Sequence, residues 1–385
     1  MKALGVVVRI LILLVAIALF GLALGTMVGE VPFFGSIASY IVLGWYRVFI
    51  PAVVAVFLAV VVLFFVKRKW LNLVSAALLV ATITLSCVCL AGVIMTFGEE
   101  GVKVDVLKSY DAKTSDDIIV TTKVYTTSAN GEVSMDIYHI EGQEHCPVIV
   151  YIHGGGWISG SKEDHSYYSR MYAEKGYVAI SVDYDLSNET QHLAATCEEQ
   201  LTEALACVAT DIGDYGGDAD KVYLTGDSAG GNLALELAYK IASGVYVESG
   251  GVALPHIKAV AVTYPVAYPA MFWENDDMVL GKYAKNMCEQ YAGTTPQEDA
   301  SLYAEITPSN HIDAFAPPTM IIVGKHDTMV QPEQSYNLYD ALQAKGVDSR
   351  LVALPYLNHG FDGQDGSVGS QGVLALTLQW FEQHK

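Results

Sequence analysis

Four short stretches of this chain carry side chains that can do chemistry together. The first is Gly226-Asp227-Ser228-Ala229-Gly230, which follows the β-branched and aromatic run Val222–Thr225 and opens the apolar helical pattern Asn232–Tyr239. A serine on a Gly-bounded turn between a strand and a helix is the setting of an activated nucleophile, with the helix N-terminus offering N–H groups to a developing oxyanion. The second is His153-Gly154-Gly155-Gly156-Trp157, straight after the apolar run Pro147–Ile152. Three glycines let a backbone approach a substrate and aim N–H groups at it. The third is Asp327, at the end of Val323-Gly324-Lys325-His326-Asp327, and the fourth is His359 in Leu357-Asn358-His359-Gly360-Phe361. The order Ser228, Asp327, His359 is the one this elbow type requires. His359 is expected to take the proton of Ser228 and return it to the leaving group, and Asp327 to orient the imidazole. His153 reads as a loop anchor. His326 and His311 do not follow the last strand and rank below His359. Each stretch taken alone also fits a blander structure: a Gly-rich turn, a helix-capping Asp, a loop His bonded to backbone.

The elements that must position these groups alternate between strand and helix. Ile118–Tyr125 and Glu132–Tyr138 read as two strands joined by an Asn-Gly hairpin signal. Pro147–Ile152, Tyr177–Val182, Val222–Thr225, Ile257–Tyr264, Thr319–Val323 and Arg350–Leu354 read as further strands, several apolar throughout as strands covered on both faces are. Tyr167–Lys175, His192–Thr210, the stretch after Ser228, Pro332–Ala344 and Leu374–Gln383 read as helices. The pattern predicts an α/β fold with a mostly parallel central sheet, helices on both faces, and chemistry at the strand C-terminal ends.

The front of the chain differs from the rest. The 385 residues are 52% hydrophobic, with a mean hydropathy of +0.32. Residues 1–98 hold one acidic residue, Glu30, and six basic ones, Lys2, Arg9, Arg47, Lys67, Arg68 and Lys69. Taking these from 42 acidic and 22 basic residues leaves 41 and 16, a net −25 over 99–385. Three apolar runs, about 4–28, 48–66 and 71–97, are each long enough to cross a hydrocarbon core of ~30 Å. Residues 1–98 are therefore expected to form a membrane region of three transmembrane helices, and 99–385 a catalytic domain. A cleaved signal peptide is the alternative for the first run. Ile37–Trp45 is expected along the interface. Lys67-Arg68-Lys69 between the second and third spans places that loop in the cytoplasm and the acidic domain on the extracytoplasmic side. The acidic balance excludes nucleic acid as a partner. Cys146, Cys197, Cys207 and Cys288 allow disulfides or buried free thiols, but Cys197 and Cys207, ten residues apart on one helix, cannot pair.

Together, His-Gly-Gly-Gly and Gly-Asp-Ser-Ala-Gly-Gly resemble the α/β-hydrolase superfamily, and within it the hormone-sensitive-lipase-like carboxylesterases. The resemblance runs from about Val133 to the C-terminus and includes Pro317-Pro318-Thr319. It implies Ser228 as nucleophile, Asp327 as acid, His359 as base, and the N–H groups of Gly155, Gly156 and Ala229 as the oxyanion hole. Trp157 is expected beside the substrate. Two departures bear on the acyl pocket. Val182-Asp183-Tyr184-Asp185-Leu186-Ser187 lacks most of the family's Tyr-Arg-Leu-Ala-Pro-Glu, and no helical N-terminal cap precedes the fold. The segment 267–307, rich in aromatic residues and Met, is a candidate cap; an amphipathic helix packed on the sheet is the other reading. The expected function is hydrolysis of small carboxylic esters by a membrane-tethered, extracytoplasmic serine hydrolase that needs no metal or organic cofactor. A peptidase, amidase or acyltransferase on the same fold, or a catalytically silent adhesion or scaffold domain, are the alternatives.

Overall fold

The computed structural model of the chain describes residues 2–29, 34–66, 70–108 and 114–385. They form two compact units. Unit 1 comprises Met1–Ala112 with two segments from far along the chain, Gly324–Thr328 and Leu354–Gly372. Unit 2 comprises Lys113–Val323, Met329–Ala353 and Val373–Lys385.

In unit 1, α1 is Lys2–Val28, α2 is Phe34–Ser39 continued by a π-helical turn Tyr40–Gly44, α3 is Tyr46–Val66 and α4 is Trp70–Glu99. α1, α3 and α4 are long and apolar enough to cross a membrane. α1 and α3 both pack on α4. The buried face of α4 is Asn72, Ser75, Leu79, Thr82, Ser86, Cys89, Val93 and Phe97, a seam at steps of three and four residues. Small and hydroxylic residues on such a seam let apolar helices approach closely. The Thr82 and Ser86 hydroxyls donate to the carbonyls four residues earlier, at 2.9 and 2.8 Å, so neither is left unpaired. Outward faces carry Leu14, Leu58, Val62 and Phe65, all exposed. A surface of that kind suits lipid rather than water. The basic cluster Lys67-Arg68-Lys69, on which the expected orientation rests, lies outside the described residues.

Unit 2 is built on an eight-stranded sheet. Its strands are β1 Ile118–Ser128, β2 Gly131–Ile140, β3 Cys146–Ile152, β4 Val178–Val182, β5 Gly217–Asp227, β8 Ile257–Thr263, β9 Thr319–Gly324 and β10 Ser349–Leu354; β6 Glu248–Ser249 and β7 Val252–Ala253 form a separate small hairpin. The order is β1-β2-β4-β3-β5-β8-β9-β10. β1, β2 and β4 pair antiparallel in sequence, while β4-β3-β5-β8-β9 are parallel. The helices are α5 Ser166–Glu174, α6 Ala194–Asp211, α7 Ser228–Ala242, α8 Pro269–Trp273, α9 Leu280–Ala292, α10 Ala300–Glu305, α11 Pro332–Ala344 and α12 Val368–Gln383. This is the mostly parallel α/β arrangement that the sequence predicts. β3, β4 and β9 are buried along their whole length but for Pro147, as strands with both faces covered must be.

All six cysteines are free thiols among the described residues. Cys197 and Cys288 are fully buried, and burial pushes both thiols far above their ordinary range.

α7 is fixed from behind by a buried charge cluster. Lys240 Nζ donates to both Glu198 oxygens at 2.9 and 2.8 Å and lies 3.5 Å from Glu236 Oε2. Burial drives the Glu236 carboxyl well above the carboxylate range. Burial also opposes charge on Glu198, but hydrogen bonds from Glu236, Lys240 and Tyr246 and the Lys240 charge outweigh it and hold that carboxyl low. A protonated Glu236 beside an ionised Glu198 fits both directions. The cluster ties α7 to α6, and through the 2.9 Å bond from Lys240 to Glu305 it also ties α7 to α10.

Candidate active site

In unit 2, β5 runs into α7 through a turn centred on Ser228, whose φ is +52°. A non-glycine residue in the left-handed region carries strain of order 1–3 kcal/mol that the surroundings must hold in place. Here they do so by close packing. A Cβ on Gly230 would fall 2.1 Å from the Ile152 carbonyl oxygen, and one on Gly226 would fall 2.6 Å from the Gly230 carbonyl oxygen. Only glycines at both positions let the end of β3, the turn and the first turn of α7 meet. Asp227 secures the turn from the side: its carboxylate accepts a bond from the Tyr151 hydroxyl and lies against Gly154. Val266 N–H donates to the Ser228 carbonyl at 3.1 Å. Ala229 is fully buried at the head of α7.

The Gly-rich segment leaves β3 next to this turn. Gly155 and Gly156 have φ of +108° and +62°, and Trp157 has +62°. His153 anchors the segment. Its ring stacks on Tyr184 at 4.3 Å, its Nδ1 lies 2.8 Å from the Gly154 carbonyl, and the Tyr184 hydroxyl donates to the His153 carbonyl at 2.9 Å. Burial pushes the His153 imidazole below its ordinary value, which favours the neutral ring. That is the anchoring role expected from the sequence. Trp157, expected beside the substrate, is fully buried. It stacks on Tyr291 at 4.3 Å and meets Phe272 edge-on at 6.3 Å. Its ring joins the hydrophobic core and fixes the backbone of the loop. Segment 267–307 supplies those partners through α8 and α9, and it also places Met287 on the loop: a Cβ on Gly156 would lie 2.4 Å from Met287 Sδ. Met287 is thus the side chain of that segment set against the Gly-rich backbone.

Unit 1 holds Asp327 and His359. His359 Nδ1 is 2.8 Å from Asp327 Oδ2, with the Asp side chain fully buried and the His side chain 19% exposed. A carboxylate oxygen accepts from an imidazole N–H, so the tautomer that makes this bond carries its hydrogen on Nδ1. The two loops are zipped together. Lys325 N–H donates to Leu354 at 2.9 Å and His326 N–H to Leu357 at 3.0 Å. Gly324 permits the approach, since a Cβ there would fall 2.3 Å from the Leu357 carbonyl oxygen. Asn358, to which the sequence assigned no role, ties both strands of the zip. Its Oδ1 accepts from His359 N–H at 2.8 Å and Thr328 N–H at 3.1 Å, and its Nδ2 donates to the His326 carbonyl. The signal in the sequence was its place beside His359; which backbone groups it would reach was not readable there. His311 bonds the Glu305 carbonyl at 2.7 Å in unit 2, apart from the acid and base loops in sequence. Among the described residues no group of His, Cys, Asp and Glu is arranged to hold a metal.

The sequence profile of the family described as BD-FAE matches residues 135–342. Esterase LipQ of Mycobacterium tuberculosis is 29% identical over 221 residues, 56% of this chain and 50% of that protein. Carboxylesterase NlhH of the same organism is 29% identical over 229 residues, covering 57% and 67%. The chain thus spans about half the length of the first of these relatives. Among solved structures, an inhibited esterase B from Lactobacillus rhamnosis superposes with a TM-score of 0.60 at 25% identity, over 71% of this chain and 89% of that one. Esterase LipW from Mycobacterium marinum gives 0.57 at 25%, over 69% and 82%.

Proposed function

This chain belongs to the BD-FAE family, on the α/β-hydrolase fold, and from that premise we propose that it hydrolyses carboxylic esters through an acyl-enzyme on Ser228. His359 Nε2 takes the Ser228 proton as Oγ attacks the ester carbonyl, then gives it to the leaving alcohol. Asp327 holds the imidazole in that tautomer and stabilises it when charged. The N–H groups of Gly155, Gly156 and Ala229 receive the oxyanion, each worth ~3–4 kcal/mol. Water, activated by the same histidine, then releases the acid. The observation that supports this most is the left-handed Ser228 at a strand-to-helix turn whose glycines admit no side chain. The esterase names of the relatives favour esters over amides.

The proposal extends to the domains. Residues 1–98 are a membrane anchor of three helices and 99–385 the catalytic domain, with 267–307 its cap. Lys67-Arg68-Lys69 faces the cytoplasm, which leaves the catalytic domain extracytoplasmic. Turnover of short-chain esters against matched amides by the purified full chain tests the reaction class. Amide turnover equal to ester turnover would contradict it.

A further inference from the structure

The loops carrying the acid and the base belong to the same compact unit as the membrane helices, and the contacts between them are specific. His326, next to Asp327, packs its ring on Gly29: a Cβ there would lie 2.1 Å from the ring. Its Nδ1 is 3.3 Å from the Thr26 carbonyl near the end of α1, and because a carbonyl only accepts, Nδ1 donates. Tyr356, three residues before His359, has φ of +64°. That strained conformation presents its carbonyl to the buried Ser39, whose hydroxyl donates to it at 3.0 Å. The Tyr356 ring meets His326 edge-on at 5.8 Å and covers Gly92 of α4. The far end of the His359 segment is held too. Gln371 exchanges two 2.9 Å bonds with the backbone of Asp105, and Gly372 sits on the fully buried Phe97 ring.

From this we infer that the membrane helices are a working part of the site: Ser39 and His326 are positioning residues that hold the Asp327–His359 pair in register by latching its loops to α1, α2 and α4. The inference rests on the proposed roles of Asp327 and His359. The segment from β10 to α12 is long and carries the base. The segment from β9 to α11 is short and carries the acid. Each has its strained or ring-bearing residue fixed to the helices rather than to the sheet that launches it. A loop misplaced by about 1 Å costs on the order of 10²-fold in rate, so latches of this kind act on turnover more than on substrate binding. α1 and α4 present their C-terminal ends to these loops, the ends that the proposed topology puts outside.

The test uses the full chain in detergent or nanodiscs with one soluble short-chain ester. The double variant Ser39→Ala/His326→Ala removes both latching bonds. kcat is expected to fall ~10–100-fold, the range of such a misplacement, with KM within about twofold. His326→Asn restores a donor near the place of Nδ1 and is expected to recover much of the loss. In an Asp327→Asn background the double variant is expected to change kcat little further, because the pair it positions is already broken. An unchanged kcat overturns the inference, as does an equal loss in the Asp327→Asn background or a loss tracking a lowered Tm. Should the double variant not fold, Ser39→Ala alone carries the test. A several-fold drop in kcat that Ser39→Thr restores supports the latch, and wild-type kcat overturns it. Activity surviving in Ser228→Ala overturns the reaction itself; an inert Ser228→Ala beside fully active latch variants overturns only the latch.

Discussion

Lys240→Met is the change whose cost the structure defines most closely. The Lys240 and Glu236 side chains are 1% and 0% exposed and that of Glu198 is 5% exposed. Methionine fills the stem of the lysine but removes the cation that lies against the buried Glu198 and Glu236 carboxyl groups. Removing one partner from a buried charge cluster costs about 3–5 kcal/mol. Glu305 adds nothing to that figure, since its side chain is 57% exposed and solvent screens it. For a domain of this size the loss lowers Tm by roughly 6–20 °C, at ~2–4 °C per kcal/mol. The pH dependence has a definite sign. Burial already raises the Glu236 carboxyl in the folded state, and loss of the cation raises Glu198 with it. Stability tied to a raised carboxyl is present below its unfolded value, ~4.3, and is lost as pH rises through the folded one. The deficit of Lys240→Met therefore shrinks toward pH 4 and grows toward neutrality. Glu236→Gln, which replaces a carboxyl already favoured as neutral and keeps the 2.9 Å acceptor for Asn232 Nδ2, costs no more than about 1 kcal/mol, one ordinary hydrogen bond. Thermal unfolding of both variants in detergent from pH 4 to 8 is the assay. A Lys240→Met protein within 1–2 °C of wild type at pH 7, or equally destabilised at pH 4, would refute the reasoning.

Three further outcomes follow from the site. Asp327→Asn should keep the fold and lose up to ~10⁴-fold in kcat, because the amide favours the wrong tautomer of His359; steady-state kinetics beside a melting curve check this. In the wild type kcat/KM should rise with pH through one ionisation, since the base must be neutral to accept a proton, and a pH-independent kcat/KM would contradict a histidine base. Protease added to intact cells should cut beyond residue 100 if the catalytic domain is outside, whereas protection until lysis would reverse the topology.

Most of the sheet was legible because buried strands announce themselves as apolar runs. Thr319–Val323 and Ile257–Tyr264 fall within one residue of β9 and β8. β5 begins at Gly217 instead of Val222 because Asp218 and Asp220 disguise a stretch that pairs with Cys146 only at Gly217, the register resuming at Val222 with Val148 after an irregularity. α12 begins at Val368, ahead of the apolar run at Leu374, because Gly369, Ser370 and Gly372 are small for packing reasons; Gly372 meets Phe97 from a distant helix. The motifs point to Ser228, Asp327 and His359 but give no role to Asn358, because two of its partners, His326 and Thr328, lie about 30 residues away on the other loop. The packing of Trp157 against Tyr291 and Phe272 was not legible, because an aromatic after three glycines reads the same whether it faces a ligand or a core. The tie between helices and loops was invisible for a plainer reason: Thr26 and His326 are 300 residues apart, and Ser39 and Tyr356 317.

The central claim is that Ser228 is the nucleophile of an esterase, and one paired measurement addresses it. Wild-type chain and Ser228→Ala are treated with a fluorophosphonate probe while ester turnover is followed. The account predicts stoichiometric labelling of the wild type with parallel loss of turnover. For Ser228→Ala it predicts no labelling, an unchanged melting temperature, and a kcat reduced by up to ~10⁶-fold. Labelling or turnover that persists in Ser228→Ala would contradict it.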